Sequence, residues 1–358
     1  MRHLVDLKDF DICEVESILF NALNIKKEPL KFSEAMKGSI LATVFFEPST
    51  RTQFSFQTAM YRLGGHVFSF SDSLKSSIVK GESFKDTIKI ISGYVDFLVI
   101  RHFLEGSAFA ASLFSSCPVI NAGDGGHLHP TQTLTDLTTI LEYKERLNML
   151  KIGICGDLKF GRTVHSLIQF LTRYSGNEFF LIPCGNLTLP LYIKDEILES
   201  GNKFFECCSL KEVIENLDIL YMTRVQKERF KRKDYGLKDI VVLNEDLLKF
   251  AKKDVIIMHP LPKTDEISSE VDDDERAIYF KQALNGVFAR MSAMLYLKSG
   301  SKNFKNLAEH LNALENVAIL SKTCHNENCV TNVEKHIPKF FKQSRGKCFC
   351  AYCGRPCI

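Results

Sequence analysis

Short apolar runs alternate with helical periodicity along most of this chain, and that alternation constrains the fold more than any other feature. Residues 39–46 (SILATVFF) read as a buried strand, and residues 53–63 (QFSFQTAMYRL) as a helix closed by Gly64 and Gly65. Residues 97–101 (FLVIR) are a second strand-like run, and helical spacing follows over 131–146. A second series opens at 151–155 (KIGIC), passes through a helix over 161–174, and includes 218–222 (DILYM) and 255–258 (VIIM). Continuous apolar strands separated by helices predict parallel sheets covered on both faces. Two such series in 358 residues predict an α/β chain of two doubly wound parallel-sheet domains, joined near 142–149, with a closing helix over 287–311.

Composition narrows the function classes. The 46 basic and 43 acidic residues leave a net charge of +3, which gives no electrostatic case for nucleic acid. No apolar run approaches the ~20 residues that span a bilayer. The first residues, MRHLVDLKDF, are too polar for a secretory signal, so the expected location is the cytoplasm. Of the 12 cysteines, those from Cys13 to Cys208 are scattered and fit reduced core positions. Cys324, Cys329, Cys348, Cys350, Cys353 and Cys357 crowd the end of the chain and mark a separate module.

The strand ends carry the polar residues. Ser49, Thr50, Arg51 and Thr52 follow the first strand, where a helix should begin. Helix starts present outward N–H groups and favour anions, and arginine binds phosphate bidentately. Arg101 and His102 end FLVIR, and DGGHLHPTQT places His129 and Gln132 before a helix. GDLKFGRTVH puts Arg162 at a helix start, Arg224 and Gln226 follow DILYM, and MHPLP makes a rigid turn with Leu261 and Pro262. Taken singly, each also fits a cap, a surface charge or a packed loop histidine. The glycines at 153, 156 and 161 do not match G-x-G-x-x-G, so a dinucleotide site is disfavoured. Together the strand ends predict a cleft with several arginines and one histidine, suited to multiply anionic ligands.

In the order FFEPSTRT, SSIVKGES, VIRH, DGGHLHPTQT, GDLKFGRTVHSL, LYMTRVQKER and HPLPKTDEI, the chain resembles the aspartate/ornithine carbamoyltransferase family. The resemblance runs from about residue 4 to 306, by ordered motifs. It implies residues 1–142 as a carbamoyl phosphate-binding domain completed by the closing helix, and 143–286 as an aspartate-binding domain. It implies that Ser49, Thr50, Arg51 and Thr52 hold the phosphate, with Ser76 and Lys80 supplied by a loop shared with the neighbouring subunit of a homotrimer. Ser76 is preferred to Ser77 because it lies four residues before Lys80, as in the family. Arg101, His129 and Thr52 would surround the carbonyl oxygen, and Gln132 the amide nitrogen. Arg162, Arg224 and Gln226, joined by Lys80, would hold the carboxylates of L-aspartate. Leu261 and Pro262 would add backbone carbonyls, across a bond that is cis in the family. The catalytic group would be Arg51, Thr52, Lys80, Arg101 and His129, with no metal or cofactor needed for the chemistry. The ornithine branch carries S-M-G and H-C-L-P segments; this chain has neither, and its T-R-V-Q segment suits a carboxylate.

Alternatives follow from the same residues. A non-catalytic assembly partner should have lost Arg51, Arg101, His129 or Lys80, and all four are present. A carbamoyltransferase with another amino acid acceptor is the second alternative.

The tail reads TCHNENC and then CFCAYCGRPC. The spacing Cys324-x4-Cys329 with Cys350-x2-Cys353 fits a tetrahedral structural zinc site within a small C-terminal domain over 312–358. Cys348 competes with Cys350 on spacing, and Cys357 and His325 are further candidates. So short a segment buries too little core to fold alone, so metal would supply its folding energy. These positions resemble the zinc domain of a separate regulatory chain in the aspartate branch, here fused behind the catalytic region with no nucleotide-binding counterpart. An assembly larger than a trimer through this domain stays open. Lys335, Lys339, Lys342, Arg345 and Lys347 leave a nucleic-acid role for the tail as the weaker alternative.

Overall fold

The structure, a computed structural model, describes residues 1–70, 81–226, 241–300, 317–319, 322–344 and 347–357. It divides into two compact units, residues 1–131 with 287–358, and residues 132–286. Ser76, Lys80 and Arg345 lie outside the described residues.

The first unit opens with α1 (Ile12–Lys27), started by a reciprocal capping box between Asp11 and Glu14. It continues through β1 (Ile40–Phe45), α2 (Thr50–Arg62), β2 (His66–Phe70), α3 (Phe84–Ser92), β3 (Phe97–His102), α4 (Ser107–Phe114) and β4 (Val119–Asp124). The four strands form a parallel sheet in the order β2-β1-β3-β4. β3 and β4 are buried along their whole length, as strands covered on both faces must be. The chain steps outward from β1 to β2, then crosses back to pair β3 with β1. The order therefore reverses between β1 and β3, and ligands of such sheets bind at the carboxyl ends beside that reversal.

The helix α5 (Pro130–Lys144) leads into the second unit. There β5 (Lys151–Gly156), α6 (Arg162–Leu171), β6 (Glu178–Pro183), α7 (Leu191–Glu199), β7 (Lys203–Glu206), β8 (Ile219–Met222), α8 (Glu245–Leu248) and β9 (Ile256–Met258) follow. The sheet order is β7-β6-β5-β8-β9, all parallel, so this reversal lies between β5 and β8.

The closing helix α9 (Tyr279–Ser299) starts earlier than its apolar run suggests, because Ile278 already accepts the N–H of Gln282 at 2.7 Å. Its later turns pack on α1, with Ser292 donating to the Ile18 carbonyl (2.7 Å) and Tyr296 to Glu14 (2.6 Å). The tail supplies β10 (Val317–Ile319), α10 (Val330–Val333), β11 (Phe340–Ser344) and β12 (Lys347–Cys350), whose strands form a small antiparallel sheet. This segment falls within the first unit. Its buried Cys329, Cys350 and Tyr352 share one apolar core with Ile100, Leu104 and Phe109.

Candidate active site

At the carboxyl end of β1 the chain turns through Glu47 and Pro48 into α2. Ser49 is the N-cap residue, yet it makes no side-chain capping bond; its hydroxyl instead lies 3.0 Å from that of Thr52. α1 and α3 begin differently, with Asp11 and Ser83 accepting first-turn N–H groups. Thr52 is buried, whereas Thr50 and Arg51 are exposed. A helix start lacking its own side-chain cap offers backbone N–H groups to an outside acceptor.

The neighbouring strand end brings Arg101 into register with Phe45. Its guanidinium is buried, donates to the Ala122 carbonyl at 3.0 Å and lies 3.3 Å from Glu47. His102 points into the core, where burial lowers its pKa to about 3 against a weaker opposing pull from Asp124. Its Nδ1 accepts the Leu104 N–H at 2.9 Å, which makes it a structural histidine.

Asp124, at the end of β4, organises the loop that carries His129. It accepts the N–H groups of Gly106 (2.7 Å) and Leu128 (3.0 Å), the Asn121 amide (3.2 Å) and the His127 ring (3.1 Å). Burial opposes charge on both members of the Asp124–His127 pair, and their mutual attraction outweighs it. Asp124 titrates below the usual carboxylate range and His127 above the usual imidazole range. His129 is buried just before α5, 3.4 Å from the Thr131 hydroxyl.

In the second unit Gln132 stands in the first turn of α5, half-buried, and donates its amide to Asp136 at 2.8 Å. Arg162 is the first residue of α6 and is buried. Arg224 and Gln226 follow β8, beside the end of β5. Asp157 joins these two ends. One carboxylate oxygen accepts the N–H groups of Lys159 (3.1 Å) and Phe160 (2.8 Å), and the other accepts Gln226 N–H (3.2 Å). Gln226 Nε2 also donates to the Phe160 carbonyl at 3.3 Å. The close approach depends on Gly156, at φ +123°, where a Cβ would stand 2.0 Å from the Thr223 carbonyl oxygen.

Leu261 and Pro262 follow β9, and the peptide bond between them is cis. His259 shapes this turn: Nδ1 accepts the Leu261 N–H at 2.8 Å while Nε2 meets Glu266 at 2.7 Å. Burial would raise Glu266, but the His259 bond and the Thr264 hydroxyl hold it down to about 2. Burial lowers His259 despite Glu266, so the ring is neutral, with its proton on Nε2. Sequence reading passed over Asp124, His127, Asp136, Asp157, His259 and Glu266 as site-shaping residues. Asp124, His127, Asp157, His259 and Glu266 all stand inside the quoted motifs, which was the available signal.

The family models for the aspartate/ornithine carbamoyltransferase carbamoyl-P binding domain and Asp/Orn binding domain match residues 2–142 and 148–297. The chain belongs to the aspartate/ornithine carbamoyltransferase family. Among its relatives, the aspartate carbamoyltransferase catalytic subunit of Clostridium acetobutylicum is 56% identical over 299 residues, covering 83% of this chain and 97% of that one. The corresponding subunit of Clostridium botulinum (strain Eklund 17B) is 55% identical over the same shares. Of solved structures, the catalytic subunit of M. jannaschii aspartate transcarbamoylase superposes with a TM-score of 0.77 at 44% identity, covering 85% of this chain and 100% of that one. The Trypanosoma cruzi aspartate transcarbamoylase in complex with carbamoyl phosphate and aspartate gives 0.78 at 35% identity, covering 82% and 96%.

Beyond this carbamoyltransferase region the tail gathers four buried cysteines. The sulfurs of Cys324, Cys329, Cys350 and Cys353 lie within 4.8 Å of one another. Cys329 and Cys350 are 3.7 Å apart, and Cys324 and Cys353 are 3.4 Å apart. Tetrahedral Zn–S bonds of ~2.3 Å place sulfurs about 3.8 Å apart, so the donor set fits such an ion. Cys348, Cys357 and His325 stand outside this group.

The cysteine segment docks on the loop between β3 and α4. Glu105 N–H donates to the Asn328 carbonyl (2.9 Å), and Val330 N–H to the Glu105 carbonyl (3.0 Å). The Asn326 amide reaches the Glu105 carboxylate at 2.8 Å. Gly106, at φ +84°, lets Tyr352 approach to where a Cβ would be 2.6 Å away.

Proposed function

We infer that the chain is an aspartate carbamoyltransferase, transferring the carbamoyl group of carbamoyl phosphate to L-aspartate. Products are N-carbamoyl-L-aspartate and phosphate, a step of pyrimidine biosynthesis. The observation that carries this reading is the position of the two residue sets. Thr50–Thr52 follow β1 and Arg101 lies at the end of β3, the strands that flank the order reversal of one parallel sheet, and Arg162, Arg224 and Gln226 follow the strands flanking the other. The absence of the ornithine-branch segments from the sequence favours aspartate as acceptor.

The aspartate amine attacks the carbonyl carbon, forming the C–N bond as the C–O bond to phosphate breaks. Negative charge grows on the carbonyl oxygen, where Arg101, His129 and the Thr52 hydroxyl stabilise it. Ser49, Thr50, Arg51 and Thr52 hold the phosphate, and the departing phosphate takes the amine proton. Gln132 reads the carbamoyl nitrogen. Arg162, Arg224 and Gln226 hold the aspartate carboxylates, and Leu261 and Pro262 line the reacting groups. Ser76 and Lys80 join from SSIVKGES, contributed to a neighbour in a homotrimer. Holding both substrates in line supplies much of the acceleration. In the tail, Cys324, Cys329, Cys350 and Cys353 hold a structural zinc, in the manner of the regulatory chain's zinc domain.

The test is product analysis. Purified protein with carbamoyl phosphate and L-aspartate should release N-carbamoyl-L-aspartate and phosphate in equal amounts, and L-ornithine should give no citrulline. Citrulline, or no product with either acceptor, would overturn the reading. Native mass spectrometry should show trimers or multiples of trimers, with one zinc per chain.

A further inference from the structure

Asp136 lies on α5 with its side chain wholly buried. Three donors converge on it. Oδ1 accepts the amides of Gln132 (2.8 Å) and Gln282 (2.7 Å), and Oδ2 accepts the Tyr221 hydroxyl (2.9 Å). A buried carboxylate is costly unless paired in this way, and once ionised it can only accept.

That rule fixes the two amides. Gln132 must turn its nitrogen towards Asp136, which leaves its oxygen at the other edge of the planar amide. Gln282 does the same, and its oxygen accepts the His259 N–H at 2.9 Å. His259 in turn accepts the Leu261 N–H. One carboxylate thus orients Gln132 and, through Gln282, the turn that carries the Leu261 and Pro262 carbonyls.

We propose that Asp136 is a positioning residue that locks the Gln132 amide with its oxygen towards the substrate, so that the site accepts an N–H2 group and rejects a methyl group. The lock makes the enzyme choose carbamoyl phosphate over acetyl phosphate, which shares its phosphate and carbonyl. A free amide would present donor or acceptor alike, and a donor facing the carbamoyl nitrogen is repelled. Sites built to bond a polar group discriminate because their own polar atoms are stranded by the wrong ligand. The proposal rests on the reading of Gln132 as the contact of the carbamoyl nitrogen.

The experiment measures the KM for carbamoyl phosphate and the inhibition constant of acetyl phosphate against it. In Asp136→Ala the preference for the carbamoyl compound should fall roughly five- to tenfold, the worth of one well-made hydrogen bond. Gln132→Ala should lose a similar factor, and the double variant should lose no more than Gln132→Ala alone. General loosening would weaken both ligands together and leave the ratio unchanged. A wild-type ratio in Asp136→Ala beside a collapsed ratio in Gln132→Ala overturns the lock and spares the Gln132 assignment. A wild-type ratio in Gln132→Ala overturns the assignment itself, and the lock with it. If Asp136→Ala does not fold, Asp136→Leu with Tyr221→Phe replaces that hydrogen-bonded pair by apolar groups, and the same loss of preference is expected.

Discussion

Arg101 and Glu47 meet at 3.3 Å, so the buried guanidinium at the end of β3 is tied to the turn that starts α2. The same side chain donates to the Ala122 carbonyl at the other end of its fork. A planar guanidinium meets the two partners from two separate nitrogens, whereas an ammonium has only one nitrogen to place. Arg101→Ala should lower kcat about 10²–10³-fold, the effect of removing one group from an oxyanion site. Arg101→Lys should rescue little of that loss. Steady-state kinetics on protein with wild-type circular dichroism check both, and substantial rescue by lysine would show that charge alone suffices.

Gly156 allows the ends of β5 and β8 to touch, because a Cβ there would meet the Thr223 carbonyl oxygen at 2.0 Å. Gly156→Ala should destabilise the fold by about 2–4 kcal/mol, from backbone strain and a contact that cannot relax cheaply. Its functional effect should fall on aspartate, since Arg224 and Gln226 follow Thr223. KM for aspartate should rise severalfold while KM for carbamoyl phosphate changes less. Equal rises in both would place the strain elsewhere.

β1, β3, β5, β8 and β9 were legible because burial leaves continuous apolar runs, as in FLVIR and KIGIC. The other strands were not, the partly buried inner strand β6 (EFFLIP) among them. β2 (HVFSF) and β7 (KFFE) are half-exposed, and neither forms a buried run. β4 was hidden for another reason: Asn121 and Asp124 interrupt VINAGD, and both are buried because they bond each other and the following loop. α2 starts at Thr50, inside the polar stretch 49–52 read as a helix start and three residues before the helical run counted from 53. The residues proposed to hold the substrates stand out as polar residues at strand ends. The residues that orient them differ: Asp157 stands inside a quoted motif, whereas Asp136 depends on Tyr221 and Gln282, distant in sequence, and one chain gives no signal for such pairs.

His102 couples stability to pH. Burial lowers its pKa to about 3, so the folded protein keeps it neutral while the unfolded chain takes up a proton near 6.5. Below that value the unfolded state binds the extra proton, and stability falls as pH drops from 6.5 towards 3. The contribution between pH 6.5 and 5 is about 2 kcal/mol, at ~1.36 kcal/mol per unit for one proton. His102→Asn keeps an acceptor for Leu104 N–H and removes the titration. Its urea stability will be lower overall, but it should lose about 2 kcal/mol less than wild type over that interval. Parallel pH profiles for the two proteins would show that His102 is protonated in the fold.

The cysteine segment is joined through Glu105 to the loop that follows β3. That residue stands between His102 and α4, and Asn326, Asn328 and Val330 of the cysteine segment hold its side chain and both backbone groups. Tyr352 packs edge-on against Phe109 at 5.0 Å, in the same apolar core as Ile100, next to Arg101. Removing the proposed zinc should therefore do more than fray the tail. Cys353→Ser, or treatment with a strong chelator, should release zinc and lower Tm by more than about 5 °C, because a structural metal contributes folding energy directly. KM for carbamoyl phosphate should rise more than KM for aspartate, since β3 and the Asp124 loop lie against the docked segment. Gly106→Ala should reproduce part of the kinetic change with zinc still bound, because its Cβ would press on Tyr352. Zinc content, thermal melts and both KM values on the same preparations decide the matter. A zinc-free protein with unchanged Tm and kinetics would separate the cluster from the site.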